Sequence, residues 1–344
     1  MLFNIERDEG DRISGYVVPD GFSGTPRIRL FSDGVEVLAC SANENRPALV
    51  EARRHETGLC GFNIGPDHLP DLAALSDLTI TDEESGLLIY RRAPPRRIER
   101  KVLRIETHLF PLWKFDESLR DKVQYHHRGL ENFGRETVTQ MFLLGGIKSV
   151  YLSGRILYKN YAYWIEDGFE SAIVLQNPYA EMAERLLVLS MMGDGATKYL
   201  GERDASRLAP AISFATTLPF ENDRRLKQRL MEMPFDVAAL FADPLVRQLT
   251  ASTPEDMAAS GAVAAALNVL ASCRVVGLRQ DPDYFNEAMG AWLGIEPAEL
   301  SPLPQFPRVN PLAQILKESR TVDMLLERDL EVYSAVREAY GIVD

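Results

Sequence analysis

The pattern of apolar residues changes near residue 92, and this change sets the domain plan of the chain. Before it, short apolar runs such as ISGYVV, RIRLFS and VEVLACSA are separated by turn residues. After it, apolar runs of strand length alternate with longer segments at helical spacing. Short strands separated by turns favour a small β-sandwich, whereas alternating strands and helices favour a mainly parallel sheet flanked by helices. We therefore predict an α/β chain in which a small β-sandwich precedes the parallel sheet.

Turn and linker residues place the boundaries of these domains. Asp33-Gly34 lies between two apolar runs and predicts a β-hairpin, because both residues tolerate positive φ. We assign residues 1–92 to the β domain and residues 93–101 to a basic linker, in which Pro94-Pro95 favours a stiff, extended segment. Residues 102–344 form the predicted α/β domain.

Four apolar runs predict the strands of the larger domain: VLRIETHLF, SVYLSG, SAIVLQN and CRVVGL. Helices are predicted over residues 118–133, over residues 135–144, and after Pro178, where the missing N–H of proline costs nothing. An amphipathic helix is predicted to close the chain, from Val322 to Tyr340.

Charge and composition exclude several classes of protein. The chain has 50 acidic and 38 basic residues and a net charge of −12, which opposes general binding to nucleic acid or to anionic membranes. The N-terminus has no apolar signal region, and no run of about 18 apolar residues predicts a transmembrane helix. Cys40, Cys60 and Cys273 form no metal or redox motif, so we expect reduced thiols in a cytoplasmic protein.

Four stretches of the larger domain, taken in order, resemble the bacterial sulfotransferase family related to the polysaccharide 2-O-sulfotransferases. Residues 149–158 stand in the place of a strand that ends in a Gly-His loop, and residues 172–179 in the place of a strand followed by Arg-Asp-Pro. Residues 243–249 are similar to a helix ending in Arg-Gln-Leu, and residues 267–294 to a helix–strand–helix unit ending in Leu-Gly. The resemblance implies a P-loop sulfotransferase-like fold with a degenerate P-loop.

The N-terminal domain has a resemblance of its own. Residues 32–34, 42–47 and 58–62 look like an accessory β domain found beside bacterial glycosyltransferases and related surface-glycan enzymes. This resemblance implies a polysaccharide setting and does not specify a reaction.

A sulfotransferase must hold 3′-phosphoadenylyl sulfate, and the family does so partly with a loop at a helix N-terminus. The segment in that place contains Thr107, His108 and Lys114 but no glycine, so these three residues are the candidates for contact with the anionic donor. Arg185 is a further candidate for cofactor binding. The alternative interpretation is a hydrophobic corner between strand and helix, formed by Leu109, Phe110 and Leu112.

Other positions oppose this cofactor. Gln176 replaces the arginine of the family, Glu184 replaces its serine, and Glu181 stands where another arginine is common. Two carboxylates close to a phosphate would each cost on the order of 4 kcal/mol at about 4 Å and an effective dielectric constant near 20. We therefore expect the usual donor not to bind in the usual way, so 3′-phosphoadenylyl sulfate stays the one candidate cofactor and is not firmly assigned.

The residues that would bind the acceptor sugar are predicted from the segment after the second strand of the larger domain. Arg155 stands where the family often has a histidine base, and arginine cannot act as a base at neutral pH. Arg155, Tyr158 and Lys159 form an aromatic and basic cluster that suits an anionic polysaccharide or glycan precursor, or alternatively a helix with packed tyrosines. His108 and Arg155 are thus the candidate catalytic residues. We assign no metal site, because the adjacent His126 and His127 would face different sides of a helix.

Three functional hypotheses remain open at this point. The chain is either a sulfotransferase-like enzyme acting on a bacterial surface polysaccharide, a non-catalytic glycan- or partner-binding protein of the same fold, or a scaffold that forms a homo-oligomer through its β domain. The net charge opposes nucleic acid as a partner, but no residue pattern in the sequence selects among these three hypotheses.

Overall fold

A computed structural model describes residues 1–94, 96–193 and 200–342. Pro95, part of the predicted linker, lies outside the described residues. Strands in the N-terminal half of the described chain are β1 (Leu2–Asp8), β2 (Ile13–Val18), β3 (Arg27–Ser32), β4 (Val35–Ser41), β5 (Glu44–Asn45), β6 (Leu59–Ile64), β7 (Leu78–Asp82) and β8 (Leu88–Arg91). They are followed by β9 (Lys101–Ile105), β10 (Tyr125–Arg128), β11 (Val150–Gly154), β12 (Glu170–Leu175) and β13 (Val275–Leu278).

Most of the helices follow β9. The helices are α1 (Pro47–Glu51), α2 (Trp113–Glu117), α3 (Arg135–Phe142), α4 (Ala162–Glu166), α5 (Pro178–Met192), α6 (Glu202–Thr216), α7 (Asp223–Met231), α8 (Phe235–Phe241), α9 (Pro244–Thr250), α10 (Ala262–Ser272), α11 (Pro282–Leu293), α12 (Val309–Lys317), α13 (Arg320–Leu325) and α14 (Glu327–Ala339). Short 3-10 turns cover Leu72–Ala74, Arg120–Lys122, Leu130–Asn132, Tyr158–Asn160 and Pro297–Glu299.

The N-terminal strands form two antiparallel sheets of four strands each. Their orders are β1-β2-β6-β5 and β4-β3-β7-β8. The predicted hairpin at Asp33-Gly34 joins β3 to β4, and both turn residues have positive φ, +49° and +76°. Ile28 and Leu30 on β3 are fully buried, as period-two alternation requires of a sheet with one face in the core. The prediction of an antiparallel β region at the N-terminus is confirmed.

The larger sheet is parallel and has five strands in the order β10-β11-β9-β12-β13. Its central strands are apolar and buried on both faces, as expected of a parallel sheet covered by helices. After β9 the chain continues to β10 and β11, which lie on one side of β9 in the sheet. It then continues to β12 and β13, which lie on the other side of β9. The crevice at the carboxyl ends of β9 and β12 is therefore the switch point of the sheet, where α/β proteins usually bind ligands. The mixed α/β prediction with a parallel sheet is confirmed in this coarse form.

The prediction of a helix over residues 118–133 is wrong. This segment contains the strand β10, with a 3-10 turn on each side. The strand β10 lies next to β11 in the parallel sheet, and the backbone N–H of Tyr125 donates to the carbonyl oxygen of Ser149 at 3.0 Å. The Tyr125 hydroxyl also donates a 3.0 Å hydrogen bond to the carbonyl oxygen of Leu88, which fixes the segment.

Two further differences concern helices. Residues 202–216 form α6, which the sequence did not predict; Pro210 lies inside it and is normally a helix-breaking signal. The predicted closing helix is two helices, α13 and α14, which meet at Leu326.

The chain divides into two compact units. The first contains residues 1–101, 119–127 and 133–151, and the second contains residues 102–118, 128–132 and 152–344. The second unit has an apolar core in which α5 packs against α6 and α12, with Ala183, Leu186 and Leu316 fully buried. Within the described ranges, none of the helices has the length and apolarity needed to cross a bilayer.

Candidate functional site

The loop after β9 wraps its backbone around a carboxylate of the protein itself. Glu106 Oε1 accepts the backbone N–H of His108 at 3.0 Å, and Glu106 Oε2 accepts the backbone N–H of Leu112 at 2.8 Å. Glu106 is 1% exposed, and Leu109 and Leu112 are buried beside it. Loop amides that would cradle a phosphate in a P-loop are thus already bonded to an internal anion.

The charge of Glu106 is balanced by a buried arginine. Arg104 donates from Nη2 to Glu106 Oε2 at 2.8 Å and makes two hydrogen bonds to Asp116, at 2.7 and 2.8 Å. Burial alone would raise the pKa of Glu106, but Arg104 and the donated hydrogen bonds hold that pKa below its usual value. Asp116 is 1% exposed and serves as a second carboxylate partner of Arg104.

A second buried network lies beside this loop and links β9 to α5. His108 Nδ1 lies 2.8 Å from Glu181 Oε2, and Arg185 Nε donates to Glu181 Oε1 at 2.8 Å. Arg185 Nη2 also donates to the carbonyl oxygen of Thr107 at 2.8 Å. Burial opposes ionisation of Glu181, but Arg185 and His108 lower its pKa, so the carboxylate is charged. His108 is fully buried, and its Nε2 has no hydrogen-bond partner among the described residues.

These contacts leave little space at the switch point. The cavity lined by Thr107, Gln176, Glu181, Arg185 and Asp329 has a volume of about 20 Å³. That is the volume needed for about one water molecule, and it excludes a nucleotide.

A larger pocket opens next to it, at the carboxyl ends of β12 and β13. Its volume is about 460 Å³, which falls within the range of small-molecule sites. Five amide side chains line it together with the aromatic ring of Phe306. The five are Gln176, Asn177, Gln280, Gln305 and Asn310.

Buried charges form the inner wall of this amide pocket. Arg279, 5% exposed, donates from Nη1 to Gln176 Oε1 at 2.7 Å and from Nη2 to the carbonyl oxygen of Pro304 at 3.0 Å. Glu184 Oε2 lies 2.9 Å from Arg279 Nη1, so the two side chains form a buried ion pair. Burial and the nearby Glu181 raise the pKa of Glu184, and Arg279 opposes this shift.

Three helices begin at the rim of the amide pocket. Asn177 caps α5 by accepting the N–H of Tyr179 at 3.1 Å, and α11 begins at Pro282. Val309 and Asn310 open α12. Glu181 lies in the first turn of α5 and Asp283 in that of α11, whereas the first turn of α12 has no acidic side chain. The partial positive charge at the N-terminus of α12 therefore favours an anionic group in the pocket.

The three residues predicted to bind the acceptor, Arg155, Tyr158 and Lys159, lie in different environments. Arg155 lies 3.2 Å from Glu131 and 3.2 Å from Asp204, and these carboxylates raise its pKa although burial acts in the opposite direction. Its Nη1 donates to the carbonyl oxygen of Leu109. Tyr158 is buried and Lys159 is exposed.

The structure brings together three of the predicted site residues, Thr107, His108 and Arg185, around Glu181. Lys114 is exposed and takes no part in this network. The sequence reading missed Arg104, Glu106, Arg279 and Asp329. Two of these carried a signal in the sequence, because Arg104 and Glu106 have opposite charges and stand two residues apart in the run VLRIE, where charged side chains are otherwise absent. Arg104 lies on β9, and Glu106 directly follows its last residue, Ile105.

In the part of the chain that the structure describes, no group of three or more His, Cys, Asp or Glu side chains has the arrangement of a metal site. Comparison of the chain with protein-family models, curated proteins and solved structures gives no match.

Proposed function

We propose that this chain is a non-catalytic, sulfotransferase-like protein that binds an acidic saccharide in the amide pocket, in the context of bacterial surface polysaccharide. The observation that carries the proposal is the contrast between two neighbouring spaces. The switch-point crevice has a volume of about 20 Å³, whereas the amide pocket beside it has about 460 Å³.

The chemistry of the amide pocket supports a sugar as its ligand. Amide side chains offer both donors and acceptors, which match the hydroxyl groups of a saccharide. Phe306 offers an apolar face for the C–H groups of a sugar ring. The N-terminus of α12, which has no acidic side chain in its first turn, favours a carboxylate or sulfate substituent over a neutral sugar.

The buried network argues against the nucleotide donor. A phosphosulfate at the loop after β9 would have to displace Glu106 from the backbone amides of His108 and Leu112. It would also approach Glu181, whose carboxylate is charged. Both contacts place like charges together in a poorly solvated site, which costs several kcal/mol, on the order of 4 for each at short range.

Thermal unfolding in the presence of ligands tests the proposal. We expect uronic acids and sulfated sugars at high millimolar concentration to raise Tm in a saturable way, since a ligand that binds only the folded state stabilises it. Neutral hexoses should raise Tm less. The double variant Gln305→Ala/Asn310→Ala should lose the effect, because both side chains are exposed at the rim and their removal leaves the core intact. No shift with any acidic sugar would contradict the proposal.

Sulfate transfer is the second candidate, and one contact favours it. His108 Nδ1 is hydrogen-bonded to Glu181, while His108 Nε2 has no partner among the residues that the structure describes, which is the arrangement of a general base. Titration calorimetry with 3′-phosphoadenylyl sulfate separates the candidates. Saturable heat would favour the transferase, and silence at millimolar donor would exclude this donor.

A further inference from the structure

The wall of the amide pocket contains one buried acid and one buried cation. Among the described residues that line the pocket, Glu184 is the only acidic side chain and Arg279 the only basic one. They are 1% and 5% exposed, and Glu184 Oε2 lies 2.9 Å from Arg279 Nη1. The lining therefore has no net charge while both groups are ionised, and it becomes positive when Glu184 takes up a proton.

Several charged groups act on the carboxylate of Glu184. Glu181 stands three residues earlier on α5, a spacing that places both carboxylates on one side of the helix. Burial and the repulsion by Glu181 raise the pKa of Glu184, whereas Arg279 and His108 oppose the shift. Glu184 thus binds a proton more readily than an ordinary carboxyl group does.

The other helices that pack against α5 are α6, α12 and α14. Asp204 of α6 pairs with Arg155, and Asp329 of α14 lines the switch-point crevice together with Glu181. The residues that α12 contributes to the amide pocket, Val309 and Asn310, are uncharged. Inside the pocket, Arg279 is therefore the charged group that faces Glu184.

An anionic ligand would act on Glu184 in the same direction as Glu181 does. In a pocket of about 460 Å³, the charge of the ligand lies close to the wall. At about 6 Å and an effective dielectric constant near 20, a like charge makes proton uptake by a carboxylate about a hundredfold more favourable. Coupling between two binding events is reciprocal, so a proton on Glu184 favours the anion by the same factor.

We infer that an acidic ligand enters the amide pocket together with one proton, which Glu184 takes up, and that this coupling sets the charge selectivity of the pocket. The inference rests on the proposed function, because it takes the amide pocket to be the ligand site. With Glu184 neutral, the guanidinium of Arg279 is free to attract the acid group of the ligand. The affinity for an acidic ligand then rises as pH falls, whereas a neutral sugar binds with no such dependence.

Calorimetric titration of the full chain with glucose 6-sulfate and with glucuronate tests this coupling between pH 5 and pH 8. Both probes stay ionised over this range, so the protons that are taken up bind to the protein. Titrations in pairs of buffers with different ionisation enthalpies count these protons. We expect uptake that approaches one proton per bound ligand, and an affinity that rises by up to about tenfold for each pH unit lowered and about a hundredfold in all. Glucose should bind without proton uptake.

The variant Glu184→Gln removes the ionisable group and nearly preserves its shape. It should bind both acidic probes without proton uptake and, at pH 8, about tenfold or more tightly than the wild type does. The matched control is Glu287→Gln, which changes an exposed carboxylate on α11 and should keep the proton uptake of the wild type. Circular dichroism checks that each variant is folded, and the proton count of the wild type decides the matter even where Glu184→Gln does not fold.

The possible failures are distinguishable. Binding of the acidic probes without proton uptake at any pH, or uptake that persists in Glu184→Gln, would overturn this inference and leave the saccharide site in place. Binding of neither probe at any pH would contradict the saccharide site itself, and this inference with it.

Discussion

The carboxylate of Glu106 accepts the backbone N–H of Leu112, six residues further along the chain, at 2.8 Å. This single contact closes the loop that follows the central strand of the parallel sheet. In a nucleotide-binding protein the backbone amides of such a loop would point towards phosphate. Here the anion is part of the chain, and the loop is organised without a ligand.

Removing Glu106 should therefore destabilise the fold. In Glu106→Ala the amides of His108 and Leu112 lose their acceptor and Arg104 loses one of its two carboxylate partners. Breaking a buried ion pair from one side typically costs about 3–5 kcal/mol of unfolding free energy. Urea denaturation of wild type and variant measures this difference.

The control for this experiment is an exposed ion pair. Glu232 pairs with Arg229 one turn earlier on the same surface, and both side chains are nearly half exposed. Glu232→Ala should change the unfolding free energy by at most about 0.5 kcal/mol. A similar loss in the two variants would show that Glu106 has no special structural role.

The pair Glu184–Arg279 should behave as a unit. Arg279→Met removes the cation that pairs with the buried carboxylate of Glu184, and we expect a loss of about 3–5 kcal/mol of unfolding free energy. The double variant Glu184→Met/Arg279→Met should recover most of that loss, because two apolar side chains need no compensation. A double-mutant cycle by urea denaturation gives the coupling. Additive losses in the double variant would contradict the pairing.

We expect the titration of Asp329 to lower the free energy of unfolding as pH rises towards 7. Burial raises its pKa to about 7, and Asp243 adds to the shift, although the N–H groups of Leu245 and Val246 oppose it. Its pKa in the unfolded chain is about 3.9, so the folded state holds a proton that the unfolded state releases between these values. The stabilisation is complete below about pH 4 and is lost as pH approaches 7, by up to about 1.4 kcal/mol per pH unit.

The variant Asp329→Asn isolates this contribution. Between pH 4 and pH 7, the unfolding free energy of the wild type should fall relative to that of Asp329→Asn. Denaturation at several pH values provides the measurement, with the exposed Asp236→Asn as the reference variant. A difference independent of pH would show that Asp329 titrates equally in both states.

Gly154 should not tolerate a side chain. A Cβ at this position would lie 2.5 Å from the backbone nitrogen of Leu130 and 2.7 Å from Glu131 Oε2. Overpacking of this kind typically costs about 1–3 kcal/mol. We expect Gly154→Ala to lower Tm, whereas Gly134→Ala, which meets no atom within 4 Å, should have little effect. Equal Tm values for the two variants would contradict this account.

Much of the architecture could be predicted from local pattern. Asp33-Gly34 gave the hairpin, and the runs VLRI, AIVL and VVGL correspond to β9, β12 and β13. The strand β10 could not be predicted so easily, because its YHHR sequence has no strong strand preference and its pairing partner lies far along the chain. Pairing with another strand of the sheet, rather than local sequence preference, determines the conformation of β10.

The candidate site was only partly predictable for the same reason. Thr107, His108 and Arg185 were selected for contact with an anion, and the structure shows that anion to be Glu181 for two of them. The amide pocket depends on Arg279 and Asn310, which lie 103 and 134 residues after Gln176 in the chain. No local pattern links such distant positions.

A glycan array carrying acidic and neutral bacterial polysaccharides tests the central claim most directly. The wild-type chain should bind at least one acidic glycan in a saturable manner, and Gln305→Ala/Asn310→Ala should weaken that binding by about tenfold or more, since several hydrogen bonds to the ligand are lost. Gln314→Ala, an exposed amide on the same helix α12, should bind as the wild type does. Binding that is absent from every acidic glycan, or that is unchanged when the rim amides are removed, would contradict a saccharide site in this pocket.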